Sequence, residues 1–198
     1  MTPFTRIRRR LGAALGRPRP IDDRRGNRLM AVIHCHLNQN ARDAGAACSP
    51  AITRELLELC LEHRTGILQM PCPEAAALGL ERRRPPGESI RGALDTPEGR
   101  ATCRRLAEET VATLVQYRDH GCQVTAIVGG NPQSPGCAVH GGTDVPLTGE
   151  SGLFMLALEA AAQRHGLAVP FLPFRDADPT QRAADSAAIG RLLGRSPP

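Results

Sequence analysis

The chain has 198 residues, 41% of them hydrophobic, which suffices for one buried core and excludes wholesale disorder. Aromatics are only 3%, with no Trp and one Tyr, which argues against a base-stacking platform for single-stranded nucleic acid. All 25 basic residues are Arg, and nine of them crowd into residues 1–28, so that segment carries +7 and the remainder −2. Residues 1–28 are therefore read as a flexible Arg-rich leader, capable of non-specific contact with phosphates or a membrane surface. Residues 29–198 are read as a single near-neutral domain. No run approaches the roughly 18 apolar residues of a membrane span, and Leu11–Gly16 is too short for a secretory core of about 7–15.

From Leu29 the pattern alternates strand and helix. Leu29–Ile33 is a short apolar run that stops at His34-Cys35. Ser49-Pro50 reads as a helix start, with apolar positions at Ile52, Leu56 and Leu59. Gly66–Met70 is the next strand, stopping at Pro71-Cys72-Pro73-Glu74. The Pro/Arg-rich stretch 81–95 reads as a polar connection outside the core, with Arg82, Arg83 and Arg84 solvated. Thr96-Pro97-Glu98 opens a long helix whose buried stripe is Cys103, Leu106, Thr110, Leu114 and Tyr117. Val124–Gly129 is the third strand and runs into a Pro/Gly turn ending at Cys137. Leu153–His165 is helical, Val169–Leu172 is an edge strand because Pro170 lies within it, and Asp178-Pro179 caps a last helix near its start. The alternation predicts an α/β fold, an open, mainly parallel (Rossmann-like) sheet flanked by helices.

Seven cysteines, an odd number without an export signal, favour a reducing cytoplasm with metal-binding or catalytic thiols over a disulfide framework. In an open parallel sheet, ligands sit at the carboxyl ends of the strands. Cys35, Cys72 and Cys137 each follow a strand in a Pro/Gly-shaped turn, so the three are expected to converge there. Cys60 and Cys103 fall on buried helix stripes and Cys48 and Cys122 flank helix ends, so these four are expected to stay apart. The absence of any C-x₂-C pair disfavours a zinc ribbon. Three thiolates could hold an iron–sulfur cube with one iron left open, or a zinc with His34, His36 or His140 as a further ligand. Two other classes remain: a Cys-nucleophile hydrolase with Cys72 or Cys137 activated by a His, and a non-catalytic metal- or nucleic-acid-binding protein.

The motifs His34-Cys35-x-Leu37-Asn38-Gln39-Asn40, Pro71-Cys72-Pro73-Glu74 and Ser134-Pro135-x-Cys137 resemble the three cysteine motifs of the thiouracil desulfidase family, in a divergent Asn-Gln-Asn form. Gly152-Leu153-Phe154-Met155 is similar to the helix start that follows the third motif. Two positions depart from the pattern: Ala41 stands where many members have a further cysteine, and Gly136 where a serine is common. The resemblance implies a [4Fe-4S] cluster with one open iron, held by Cys35, Cys72 and Cys137, that removes sulfur from a small thiolated, pyrimidine-like substrate. It implies Glu74 as the base for water and Ser134 as a donor to the reacting centre. Asn38, Asn40 and Arg42 are the candidate contacts to the substrate edge.

Overall fold

The structure is a computed structural model that describes residues 23–141 and 145–195. The leader therefore lies largely outside the described residues. Four apolar runs form strands: β1 Arg28–Val32, β2 Gly66–Gln69, β3 Gln123–Gly129 and β4 Phe171–Pro173. They pair in the order β2-β1-β3-β4, all parallel. The expected open parallel sheet is thus present, and the Pro170-flanked strand is at its edge. Both faces of β1 are covered, which is why its sequence reads as a near-continuous apolar run. Leu29, Ala31 and Ile33 enter one core, with residues of α5 (Pro97–Asp119) and α6 (Leu153–Arg164). Met30 and Val32 enter the other, with residues of α2 (Arg54–Glu62) and α7 (Pro179–Leu193). Side chains that alternate along a strand feed the two layers in turn.

Short helices complete the connections: α1 His34–Leu37, α3 Pro73–Leu78 and α4 Ile90–Leu94, with a 3₁₀ turn at Gln39–Ala41. Three expectations are corrected here. The second helix begins at Arg54 rather than at Ser49-Pro50; the Ser49 hydroxyl instead donates to the Ile52 carbonyl at 2.8 Å. The connection after residue 81 is not all outside the core, because it forms α4 and buries Leu94 completely. Tyr117, near the end of α5, is 45% exposed, where the helix stripe predicts burial.

Cys103 packs in the α5–α6 core and Cys60 in the α2–α7 core, as their helix stripes suggest. Cys60→Ala and Cys103→Ala should each lower unfolding free energy by about 1–2 kcal/mol, measured by urea titration, because each leaves a small cavity.

The order β2-β1-β3-β4 sends the chain from β1 to one side and then across to the other, which puts the topological switch between β1 and β3. Val32 pairs with Gln69 and with Val128, and Val128 with Leu172, so these four residues form one row across the sheet. Cys35, Cys72 and Asn131 each stand three residues beyond that row, and Asp176 four. This similar stand-off from a common row brings four separate loops to the same end of the sheet.

Candidate functional site

A cavity of about 390 Å³ opens at this edge, with Cys35, Cys72, Cys137, Glu74, Ser134 and Arg42 in its lining. The three expected cysteines therefore line one cavity, and all seven cysteines are free thiols. Cys48 lines the same cavity, contrary to the expectation that it stands apart. Gly45, Ala46 and Ala47 of its loop line it too, and the Arg42 guanidinium donates from Nη1 to Cys48 Sγ at 3.1 Å. Asn38 and Asn40 take no part in the lining: Asn38 Oδ1 accepts from the Asn40 backbone N–H and from Asn40 Nδ2, a local pairing within the 3₁₀ turn.

Each thiol is placed by a different local device. Cys35 sits in α1, the single turn that the chain makes on leaving β1. Cys72 occupies the N-cap of α3, with Pro73 in the first turn, and its Sγ accepts the Ala75 backbone N–H at 3.4 Å. Cys137 is not directly after β3. Residues 131–136 make an excursion, and the chain returns so that the Gly130 N–H bonds the Cys137 carbonyl at 2.8 Å. The start of α6 braces this return, with the Phe154 N–H on the Gly136 carbonyl at 3.0 Å and the Gly152 N–H on the Ala138 carbonyl at 3.0 Å. Gly152 is required there: a Cβ would stand 2.3 Å from the Gly136 carbonyl. Gly136 is likewise fixed, since a Cβ would come within 2.6 Å of Pro73 Cγ.

Glu74 and Ser134 both reach the cavity while holding the cysteine loops. Glu74 Oε1 accepts the Gly136 N–H at 3.2 Å, and Oε2 accepts from Arg82 Nε at 3.2 Å. Ser134 Oγ accepts the Cys137 N–H at 3.2 Å, which leaves its proton free to donate. The expectation that Arg82 is solvated fails, for its side chain is 2% exposed. Besides Glu74, it donates to the carbonyls of Gly79, Leu80 and Ala41, and its Nη2 lies 3.6 Å from Cys72 Sγ. A guanidinium can be buried when its donors are met in this way. Arg83 and Arg84 are exposed as expected.

Burial pushes the Cys35 thiol up to about 11, against the pull of Arg42 and with the push of Cys72. Burial also raises Cys72, opposed by the Ala75 N–H. Cys137 is raised well above the usual thiol range by burial, and further by Cys72, Glu74 and Cys35. The three thiols thus feel one another's charge, and a bound cation would relieve that repulsion and deprotonate them.

Arg42, with its side chain 8% exposed, has a buried Nε without a hydrogen-bond partner, and Cys35 is its largest Coulombic partner. Thiolates at Cys35 and Cys72 would each face a buried guanidinium, Arg42 and Arg82 respectively. As the side chains stand, no three His, Cys, Asp or Glu among the described residues form a group that could hold a metal ion.

The imidazoles are engaged elsewhere. His34 Nδ1 accepts from Gln69 Nε2 at 3.1 Å, and His140 Nε2 is 3.1 Å from the Glu150 carbonyl. His36 is fully buried, edge-on to Phe174, with Nε2 on the Gly129 carbonyl and Nδ1 on Thr53 Oγ1. It belongs to a buried polar cluster around Asp176, a residue that sequence patterns do not single out. Burial alone would raise the Asp176 carboxyl, but His36, Asn131 and Arg42 together hold it well below the usual carboxylate range. Its folded pKa lies below its unfolded one. This contribution to stability is therefore complete above about pH 4 and is lost as the pH falls below that value. Acid titration of thermal stability should show this loss in wild type and lack it in Asp176→Asn.

No family model matches the chain, and no solved structure does so. An uncharacterized protein of Methanocaldococcus jannaschii is 34% identical over 94 residues. The match takes in 48% of this chain and 58% of that relative, so the chain spans a little over half of the relative's length.

Proposed function

We propose that the cavity is the active site of an iron–sulfur-dependent desulfidase, a non-redox C–S hydrolase that converts the thiocarbonyl of a small thiolated compound to the carbonyl. One observation carries the reading: three cysteines from loops at the ends of three strands line one cavity, together with Glu74, Ser134 and Arg42. Cys35, Cys72 and Cys137 would hold a [4Fe-4S] cluster. With one iron free of protein ligands, the bound cluster supplies a soft Lewis acid for the thiocarbonyl sulfur.

The chain's own residues do the rest. Water adds to the thiocarbonyl carbon, the C–S bond breaks, and the products are the carbonyl compound and hydrogen sulfide. No net electron is exchanged. Glu74 takes the proton of the attacking water through a lone pair not engaged by Gly136 or Arg82. Ser134 donates its free proton to the reacting centre. Arg42, in the cavity lining, binds a polar edge of the substrate. A cytoplasmic location accords with seven free thiols.

The hydrolase alternative needs a thiol activated by an imidazole. Among the described residues, the imidazole in the cavity lining is that of His34, whose Nδ1 bonds Gln69, while His36, outside the lining, bonds Thr53 and Gly129. The test is anaerobic reconstitution with iron and sulfide analysis, followed by sulfide release from thiolated pyrimidines and small thioamides. Turnover that scales with cluster content supports the reading. A full cluster with no turnover on any of them overturns the desulfidase assignment.

A further inference from the structure

Asp176 lies just past β4, on a loop that supplies no cysteine, yet its carboxylate touches residues of three other segments. Oδ2 accepts from Arg42 Nη2 at 2.6 Å, Gln39 Nε2 at 3.2 Å and Thr53 Oγ1 at 3.3 Å, with His36 Nδ1 at 3.5 Å. Oδ1 accepts from Asn131 Nδ2 at 2.8 Å. We propose that Asp176 is the positioning residue of this site: it locks the loops after β1, β3 and β4 together and sets Arg42 at the cavity wall.

The partners pass the constraint on. Gln39 Oε1 accepts the Cys48 N–H at 3.0 Å, Arg42 Nη1 bonds the Ala46 carbonyl at 3.1 Å, and Asn131 Oδ1 accepts the Ala177 N–H at 3.2 Å. Thr53, where α2 begins, directs its hydroxyl to this carboxylate instead of capping its helix. Removing the charge leaves Arg42 buried without a counter-ion, and a desolvated unpaired cation leaves its site or takes up water. The loop that carries Cys35 then loses its tether, while the two apolar cores keep their packing. That separation between loop and core makes the proposal testable apart from simple instability.

The first experiment is independent of the desulfidase reading. The full chain, with iron removed by chelation, is labelled with iodoacetamide and each cysteine is followed by mass spectrometry. In Asp176→Asn, Cys35 and Cys137 should label at least about tenfold faster than in wild type, a local opening, while Cys60 and Cys103 stay protected. Cys35 labelling at the wild-type rate overturns the proposal. So does equal acceleration at all four positions, which is global loosening. The second experiment rests on the proposed function. Arg42→Gln and Asp176→Asn should each raise KM for a thiocarbonyl substrate about tenfold with kcat per cluster nearly unchanged, and the double variant should add nothing further. Multiplied effects in the double variant would show that Asp176 does not act through Arg42. If wild type releases no sulfide, the function proposal fails and the labelling result alone decides the role of Asp176.

Discussion

Cys72→Ala should lose its iron while the fold stays soluble. Cys72 is engaged by its surroundings: it caps α3 through the Ala75 N–H and lies within 3.6 Å of the buried Arg82 guanidinium. Alanine removes a single N-cap contact at a partly buried position, a loss of about 1 kcal/mol that a domain with two apolar cores can absorb. The consequence for a cluster is larger, since a cube with three protein thiolates has no spare ligand to replace one. Iron and acid-labile sulfide per chain should fall to background after anaerobic reconstitution, with far-UV circular dichroism and urea midpoint close to wild type. Cys60→Ala and Cys103→Ala serve as controls, because they lose packing and keep iron. Equal iron in Cys72→Ala and wild type would falsify the ligand assignment. Cys48 belongs in the same series, for it lines the cavity without a place among the three motifs. Wild-type iron in Cys48→Ala is the expected result.

The strand–helix alternation could be read directly because it rests on local signals: apolar runs of strand length, Pro and Asp at helix starts, glycine after helix ends. The parallel sheet then followed, and with it the gathering of three cysteines at one edge. What escaped the sequence depends on contacts between distant segments. Arg82 and Arg83 are neighbours in a charge run, yet one is buried and the other is not. The difference is made by the Ala41 carbonyl and Glu74, which lie 41 and eight positions away in the chain. Ser49-Pro50 has the composition of a helix start, but the chain delays α2 until Arg54, and Thr53 is drawn into the Asp176 cluster. The same delay leaves Cys48 on a loop that lines the cavity instead of beside a helix. Asp176 itself carries no pattern: its role is defined by Arg42 and Asn131, residues of other loops. Gly136 and Gly152 read as ordinary loop glycines until the backbone of α6 is seen against the Cys137 turn.

Glu74→Gln separates a catalyst from a brace. In the structure Glu74 has both functions available to it. It receives the Gly136 N–H and the Arg82 Nε–H, which tie the Cys72 helix to the Cys137 loop, and it also faces the cavity. Glutamine keeps the length and one carbonyl acceptor, so the Gly136 contact can survive. The charge facing Arg82 is lost, but that guanidinium retains the carbonyls of Gly79, Leu80 and Ala41. The brace is therefore weakened rather than removed, and cluster content should stay near that of wild type. The base is removed outright, because an amide does not take a proton from water near neutral pH. Turnover per cluster should then fall by roughly 10²–10⁴, the range expected for loss of a general base, with KM changed far less. Arg82→Met is the companion variant: it breaks the brace from the other side and leaves the carboxylate in place. If bracing is the whole role of Glu74, both variants lose iron together and the rate per remaining cluster stays at the wild-type value. That pattern would remove Glu74 from the catalytic set and leave Ser134, whose hydroxyl proton is free beside Cys137, as the group to test next.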